Sequence, residues 1–161
     1  MDQDGPEHVV RALLVGAAAG AAGTTALDAV TYVDMALRGR PASSTPEQSV
    51  ERLADRAHVR VPGEGEQQDA RVSGLGPLLG IASGVGVGVL YGAVRDLGWR
   101  PSVLVGGLAT AAAAMVGTNG PMAVLGVSDP RTWSASSWVS DVVPHLAYGL
   151  VTAATAAAAE R

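Results

Sequence analysis

The amino-acid sequence predicts an all-α fold: a polytopic membrane protein whose four-helix transmembrane bundle carries a short amphipathic helix in its first loop. Three observations predict it. Four segments are free of charge, Ala12–Leu27, Val72–Val94, Pro101–Ser128 and Val142–Ala159. The charged residues lie between them, and no segment has the charged face of an amphipathic helix in water. Last, glycine recurs at every fourth position of the second segment: Gly76, Gly80, Gly84, Gly88 and Gly92. In water each such glycine costs a helix about 1 kcal/mol relative to alanine. In lipid a bare backbone stripe lets another helix approach closely, and the need to satisfy every amide leaves few alternatives to helix. The five glycines are therefore expected to form a helix-packing face.

Composition sets the outer bounds. A chain of 161 residues makes one membrane domain. It has no Cys, so disulfides and cysteine-based metal or redox sites are excluded. It also has no Lys and no Phe; all eleven basic residues are Arg, and the Ala, Gly and Val bias is that of a GC-rich bacterial genome. The net charge of −4 gives no basic footprint for nucleic acid. No P-loop, dinucleotide fingerprint, zinc-protease helix or nucleophile elbow is present. The glycines from Gly74 to Gly92 run on through an apolar stretch instead of joining a strand to a helix, which argues against a phosphate loop. An enzyme is not expected, and no cofactor is implied. A soluble reading has to be weighed, because Ala and Gly are only mildly apolar and the mean hydropathy is just +0.25. Against it, none of the four segments shows a charged solvent face.

The first span, about 9–35, reaches the roughly 20 residues needed to cross a bilayer by admitting Asp28 and Asp34. Its leader, Met-Asp-Gln-Asp-Gly-Pro-Glu-His, is acidic where a secretory signal is basic, so the segment is expected to stay as helix one. The connection 38–71 carries six Arg and six acidic residues. Within it Thr45-Pro-Glu-Gln48 reads as a capping box with Pro at the first helical position. Val50, Leu53, Ala54 and Ala57 then repeat at helical spacing, giving a short helix that lies on the membrane, caps the bundle or stands solvated. Residues 62–69 read as linker. The second span covers 73–94, the third 102–127 and the fourth 138–159. The third contains Gly117-Thr-Asn-Gly-Pro121, expected to break or kink its helix.

With side A defined as that of the N-terminus, five of the six aromatic residues fall at span ends: Tyr32, Tyr91, Trp99, Trp133 and Trp138. Membrane interfaces favour such rings. Only Tyr148 lies inside a span. Seven Arg on side B against four on side A place side B in the cytoplasm by the positive-inside rule.

Each span carries one row of small or polar residues. Helix one has Gly16, Gly20, Thr24, Asp28 and Tyr32; the third span has Gly106, Thr110, Ala114 and Thr118; the fourth has Asp141, His145, Gly149 and Ala153. Residues four apart share a helix face. The glycines and alanines serve packing. At 1.5 Å per residue, Asp28 lies roughly 15 Å in from Arg38, Asn119 roughly 13 Å in from Ser128, and His145 roughly 10 Å in from Trp138. These groups therefore share the B half of the bilayer. With Asp141 and Tyr148 they are expected to line a polar pocket open to side B. Ionisable groups at such depth point to function by default, although mutual hydrogen bonds that set helix register would use the same residues. Two carboxylates and one His are a thin ligand set, so no metal is expected.

The layout resembles the YagU-like family of small bacterial inner-membrane proteins. The residues that carry the likeness are Gly16-x3-Gly20 to Thr25, the Arg-Gly-Arg-Pro turn at Arg38–Pro41, Gly-Pro-Met at Gly120–Met122, Gly126, and His-Leu-x-Tyr-Gly at His145–Gly149. The resemblance implies a multi-pass inner-membrane protein and supplies no catalytic residue. Two functions follow as expectations. One is a proton-linked or pH-responsive transporter or channel-like protein that uses Asp28, Asn119, Asp141, His145 and Tyr148. The other is a structural or accessory subunit whose glycine face docks a membrane-protein partner or a second copy as a homo-oligomer. Either sits in a lipid bilayer.

Overall fold

The computed structural model describes residues 5–160, so the first four residues of the acidic leader lie outside the described residues. The described chain is helical, in the order α1 (Pro6–Arg38), α2 (Thr45–Arg56), α3 (Glu66–Asp96), α4 (Val103–Val124), a single 3₁₀ turn (Pro130–Thr132) and α5 (Ala135–Ala159). Four of these, α1, α3, α4 and α5, are long and apolar enough to cross a membrane. The molecule is a four-helix membrane bundle with a fifth, short helix in its first loop. Most of its large aliphatic side chains, such as Leu14, Leu78, Leu104 and Val116, face outward. That inverts the soluble pattern, as lipid contact requires. The interior is made of small residues instead: Ala19, Ala111, Ala114, Ala153 and Ala156 are buried together with Thr110 and Thr152.

Backbone-level fit sets the packing. α1 lies between α3 and α5; α5 also packs on α4, and α3 meets α4 less extensively. A Cβ placed at Gly16 would meet the Gly88 carbonyl oxygen at 2.5 Å, and one at Gly20 would meet that of Gly84 at 2.7 Å. Gly92 abuts the Ala12 carbonyl and Gly16 in the same way. The two backbones touch, and any side chain would part them. A second such seam joins α4 to α5, where Gly107 meets Leu150 and Gly149 meets Gly107 and Ala111. Gly76 packs on Pro46 and Glu47, which seats α2 against α3, whereas nothing lies within 4 Å of a Cβ at Gly80. The glycine row thus divides into a step on α2, an open step, and three steps on α1.

Several local expectations are corrected. α2 starts at Thr45, with Ser44 at the N-cap position and no capping hydrogen bond from its side chain, so Thr45 is the first helical residue, not the cap. Gln48 reaches back to the Ser44 hydroxyl at 2.8 Å, one position off the expected box. The stretch 62–69 is linker only to Gly65: α3 starts at Glu66, where Glu66 and Asp69 place negative charge in its first turn, the favourable end of the helix dipole. α4 runs through Pro121 to Val124 without a break. Pro121 sits in the last turn, where its missing N–H costs a single hydrogen bond and no further turn depends on it. Tyr91 is buried rather than at the lipid interface.

Candidate functional site

Asn119, Asp141 and His145 come together between α4 and α5, in the half of the bundle nearest side B. The antiparallel helices place Asn119, five residues before the end of α4, opposite Asp141 in the second turn of α5. The Asn119 amide donates to Asp141 Oδ2 at 2.9 Å. His145 lies one turn further along α5, its Nδ1 at 2.8 Å from the Asp141 backbone carbonyl and 3.5 Å from Asp141 Oδ1. A carbonyl oxygen can only accept, so Nδ1 carries the proton. In the neutral ring Nε2 is then the bare acceptor, and a proton arriving there makes an imidazolium beside a carboxylate. His145 is 8% exposed, and Asp141 is half-buried.

Tyr148 is near this group in sequence but serves another contact. Its ring is buried, and its hydroxyl donates to the Gly84 carbonyl of α3 at 2.6 Å. Gly23 of α1 packs against Tyr148 and Thr152, and Thr24 packs against Gly84. Tyr148 therefore ties α5 to α3 across α1, at the level where the α1–α3 seam ends.

Asp28 does not join the others. It is half-buried on α1, and among the described residues no side chain pairs with its carboxylate. The five expected site residues thus divide into a hydrogen-bonded trio, a bridging tyrosine and a separate aspartate. Among the described residues no three His, Cys, Asp or Glu side chains converge on a metal-sized site. Two surface clefts lie elsewhere, along α1 at Val10 and Leu14 and beside α2 at Glu51, Arg52 and Asp55.

The side-A end holds a polar cluster that sequence reading missed. Arg95, in the last turn of α3, is 5% exposed. It forms two parallel bonds to Glu160, Nε to Oε1 at 2.9 Å and Nη2 to Oε2 at 2.6 Å. Its Nη1 donates to the Tyr91 hydroxyl at 3.2 Å. These bonds from Arg95 hold the Glu160 carboxyl below the ordinary glutamate value, against partial burial and with help through space from Arg100 and Arg11. His8 of α1 meets Asp96 at 2.6 Å beside it. The available signal was the four-residue spacing of Tyr91 and Arg95, which puts a phenol and a guanidinium on one face. On side B, Arg38 bonds Ser136 at 2.7 Å and Ser140 at 3.0 Å, joining the end of α1 to the start of α5.

No protein-family model, no curated protein and no solved structure matches this chain.

Proposed function

We propose that this multi-pass membrane protein is a proton-linked or pH-responsive carrier or channel whose titrating centre is the Asn119–Asp141–His145 group. One observation carries the reading: an imidazole within a span, its Nδ1 held by the Asp141 carbonyl at 2.8 Å, beside a carboxylate that Asn119 holds in place. Ionisable side chains at membrane depth are costly and mark pathways or relays. Proton uptake at Nε2 creates a charge that Asp141 can balance, and its loss removes that balance. The group sits near the B end, whereas the A end is tied by Arg95, Glu160 and Tyr91. Access from side B is the shorter path, past the Arg38 bonds to Ser136 and Ser140.

An accessory role through the glycine face has less to stand on. Gly84, Gly88 and Gly92 face α1 and Gly76 faces α2, so most of that row is occupied within the chain. We place the protein in the bacterial inner membrane, on its Arg-only basic composition and its resemblance to the YagU-like family.

The test is proton flux into liposomes that hold the full chain and a trapped pH-sensitive dye. Wild type is expected to dissipate an imposed pH gradient faster than empty liposomes. His145→Gln and Asp141→Asn are each expected to slow it on the order of a hundred-fold, the lower end for a lost proton-transfer group. Flux equal to that of empty liposomes, or unchanged in both variants, overturns the reading.

A further inference from the structure

The seam between α1 and α3 has one unfilled step. Thr24 abuts Gly84, and Gly20 and Gly16 abut the residues that follow on α3. In this antiparallel register the next step toward side B sets Asp28 opposite Gly80. Gly76 beyond it is closed by Pro46 and Glu47 of α2, yet a Cβ at Gly80 would meet no heavy atom within 4 Å. Gly80 is itself exposed, so the row is open outward at this step while the steps on either side of it are covered. Asp28 stands at its edge, half-buried, roughly 15 Å from the helix end at Arg38 by the helical rise, and no donor among the described residues reaches its carboxylate.

We propose that Asp28 is a proton-binding carboxylate in its own right, seated at the unfilled step of the α1–α3 seam and separate from the Asp141–His145 pair. A carboxylate at membrane depth with no donor must be met by water, a cation or a proton. Among its neighbours, α3 carries no charged residue from Val72 to Val94. α5 carries Asp141, His145 and Tyr148; Asn119 and Gly84 take up the first and last of these. On α1 itself the next ionisable groups are Tyr32 and Asp34, and Asp34 is engaged by Arg38 and Arg40. Among the described residues no arginine pairs with Asp28. α2 brings a further carboxylate, Glu47, to the neighbouring step at Gly76. The proton is the ligand that removes the charge of Asp28. The step is simple: carboxylate plus proton gives the neutral acid. The open space beside Gly80 is the route by which water brings it.

An apolar carbodiimide reads this state directly. Dicyclohexylcarbodiimide attacks the protonated acid in apolar surroundings: the acid proton passes to a carbodiimide nitrogen and the carboxyl oxygen bonds its central carbon. Acyl migration to nitrogen then leaves a stable N-acylurea with no atom lost. The full chain in liposomes would be treated between about pH 5 and pH 9, a range that covers shifted carboxyls, and the adduct mapped by peptide mass. Expected is an adduct at Asp28 whose yield falls on the order of ten-fold as pH rises across that range. Asp28→Asn should abolish it. Gly80→Leu, which fills the gap, should lower it several-fold, and His145→Gln should leave it unchanged. No adduct at Asp28 at any pH, or a yield that does not vary with pH, overturns the proposal whatever the flux assay shows. Loss of the adduct in His145→Gln would merge Asp28 with the other site and overturn its independence.

Discussion

Arg95 and Glu160 show how much one pair can hold at the end of a bundle with few polar contacts. The guanidinium is nearly inaccessible, its side chain 6% exposed against 31% for Glu160, so removing the acid strands a buried charge. Glu160→Gln is expected to cost about 1.5–3 kcal/mol, the range for hydrogen bonds to charged groups. The pair also sets an acid limit. Because Arg95 holds the folded carboxyl below its ordinary value, its contribution is complete above the unfolded value near about 4.3 and is lost as pH falls through the folded value. Unfolding midpoints of wild type and Glu160→Gln should therefore differ at neutral pH and converge only as pH falls through the folded value, below the ordinary glutamate range. A gap that stays constant into acid would remove the ion pair as its cause. None of this was legible in advance. Arg95 and Glu160 stand 65 positions apart and each reads as an ordinary charged flank of a span.

At the scale of elements, the glycine row of α3 makes a prediction that composition alone would not. Five equivalent letters sit in inequivalent places. At Gly88 a Cβ would meet the Gly20 Cα at 2.5 Å and its nitrogen at 2.7 Å, backbone atoms that cannot turn aside. Gly88→Ala is therefore expected to cost about 1–3 kcal/mol by overpacking. Gly80→Ala meets nothing within 4 Å and gains helix propensity, so it should be neutral or stabilising by up to about 1 kcal/mol. Reversible unfolding in mixed micelles would separate the two; equal effects would mean that the row acts as one uniform face. The four-residue spacing made the packing face visible in the sequence. Which glycine meets α1, which meets α2 and which meets nothing depends on the register between helices. The same holds for α4: Pro121 in isolation predicts a break, and its place in the final turn makes it harmless.

At the scale of the whole molecule, the two ends of the bundle are held differently. Side A is held by backbone contact and an ion pair, side B by side-chain hydrogen bonds from Arg38 and the packing of α2 on α3. Backbone contact between α1 and α3, the α4–α5 seam and the Arg95 cluster lie toward side A. Asp28, the gap at Gly80 and the Asn119–Asp141–His145 group lie toward side B. An even number of spans puts both chain ends on one side, and the arginine bias of the loops predicts, by the positive-inside rule, that side B faces the cytoplasm. The absence of Cys makes this directly testable with single cysteines. Leu97→Cys, in the exposed α3–α4 turn, should react with an impermeant thiol reagent from outside the cell, and Glu64→Cys, in the first loop, only after the membrane is opened. Reaction of both from the same side would refute the four-span topology. That topology was determined by sequence alone, because lipid excludes charge and unsatisfied amides, and charge-free runs of sufficient length have one solution. The same runs located the depth of Asp28, Asn119 and His145, since depth follows from helical rise. Only the tertiary structure decided which of them meet. Rotation and register of helices around one another depend on contacts between residues far apart in the chain, and in this bundle backbone contact at glycine sets them. It brings Asn119 and Asp141 within 2.9 Å and leaves Asp28 apart from them.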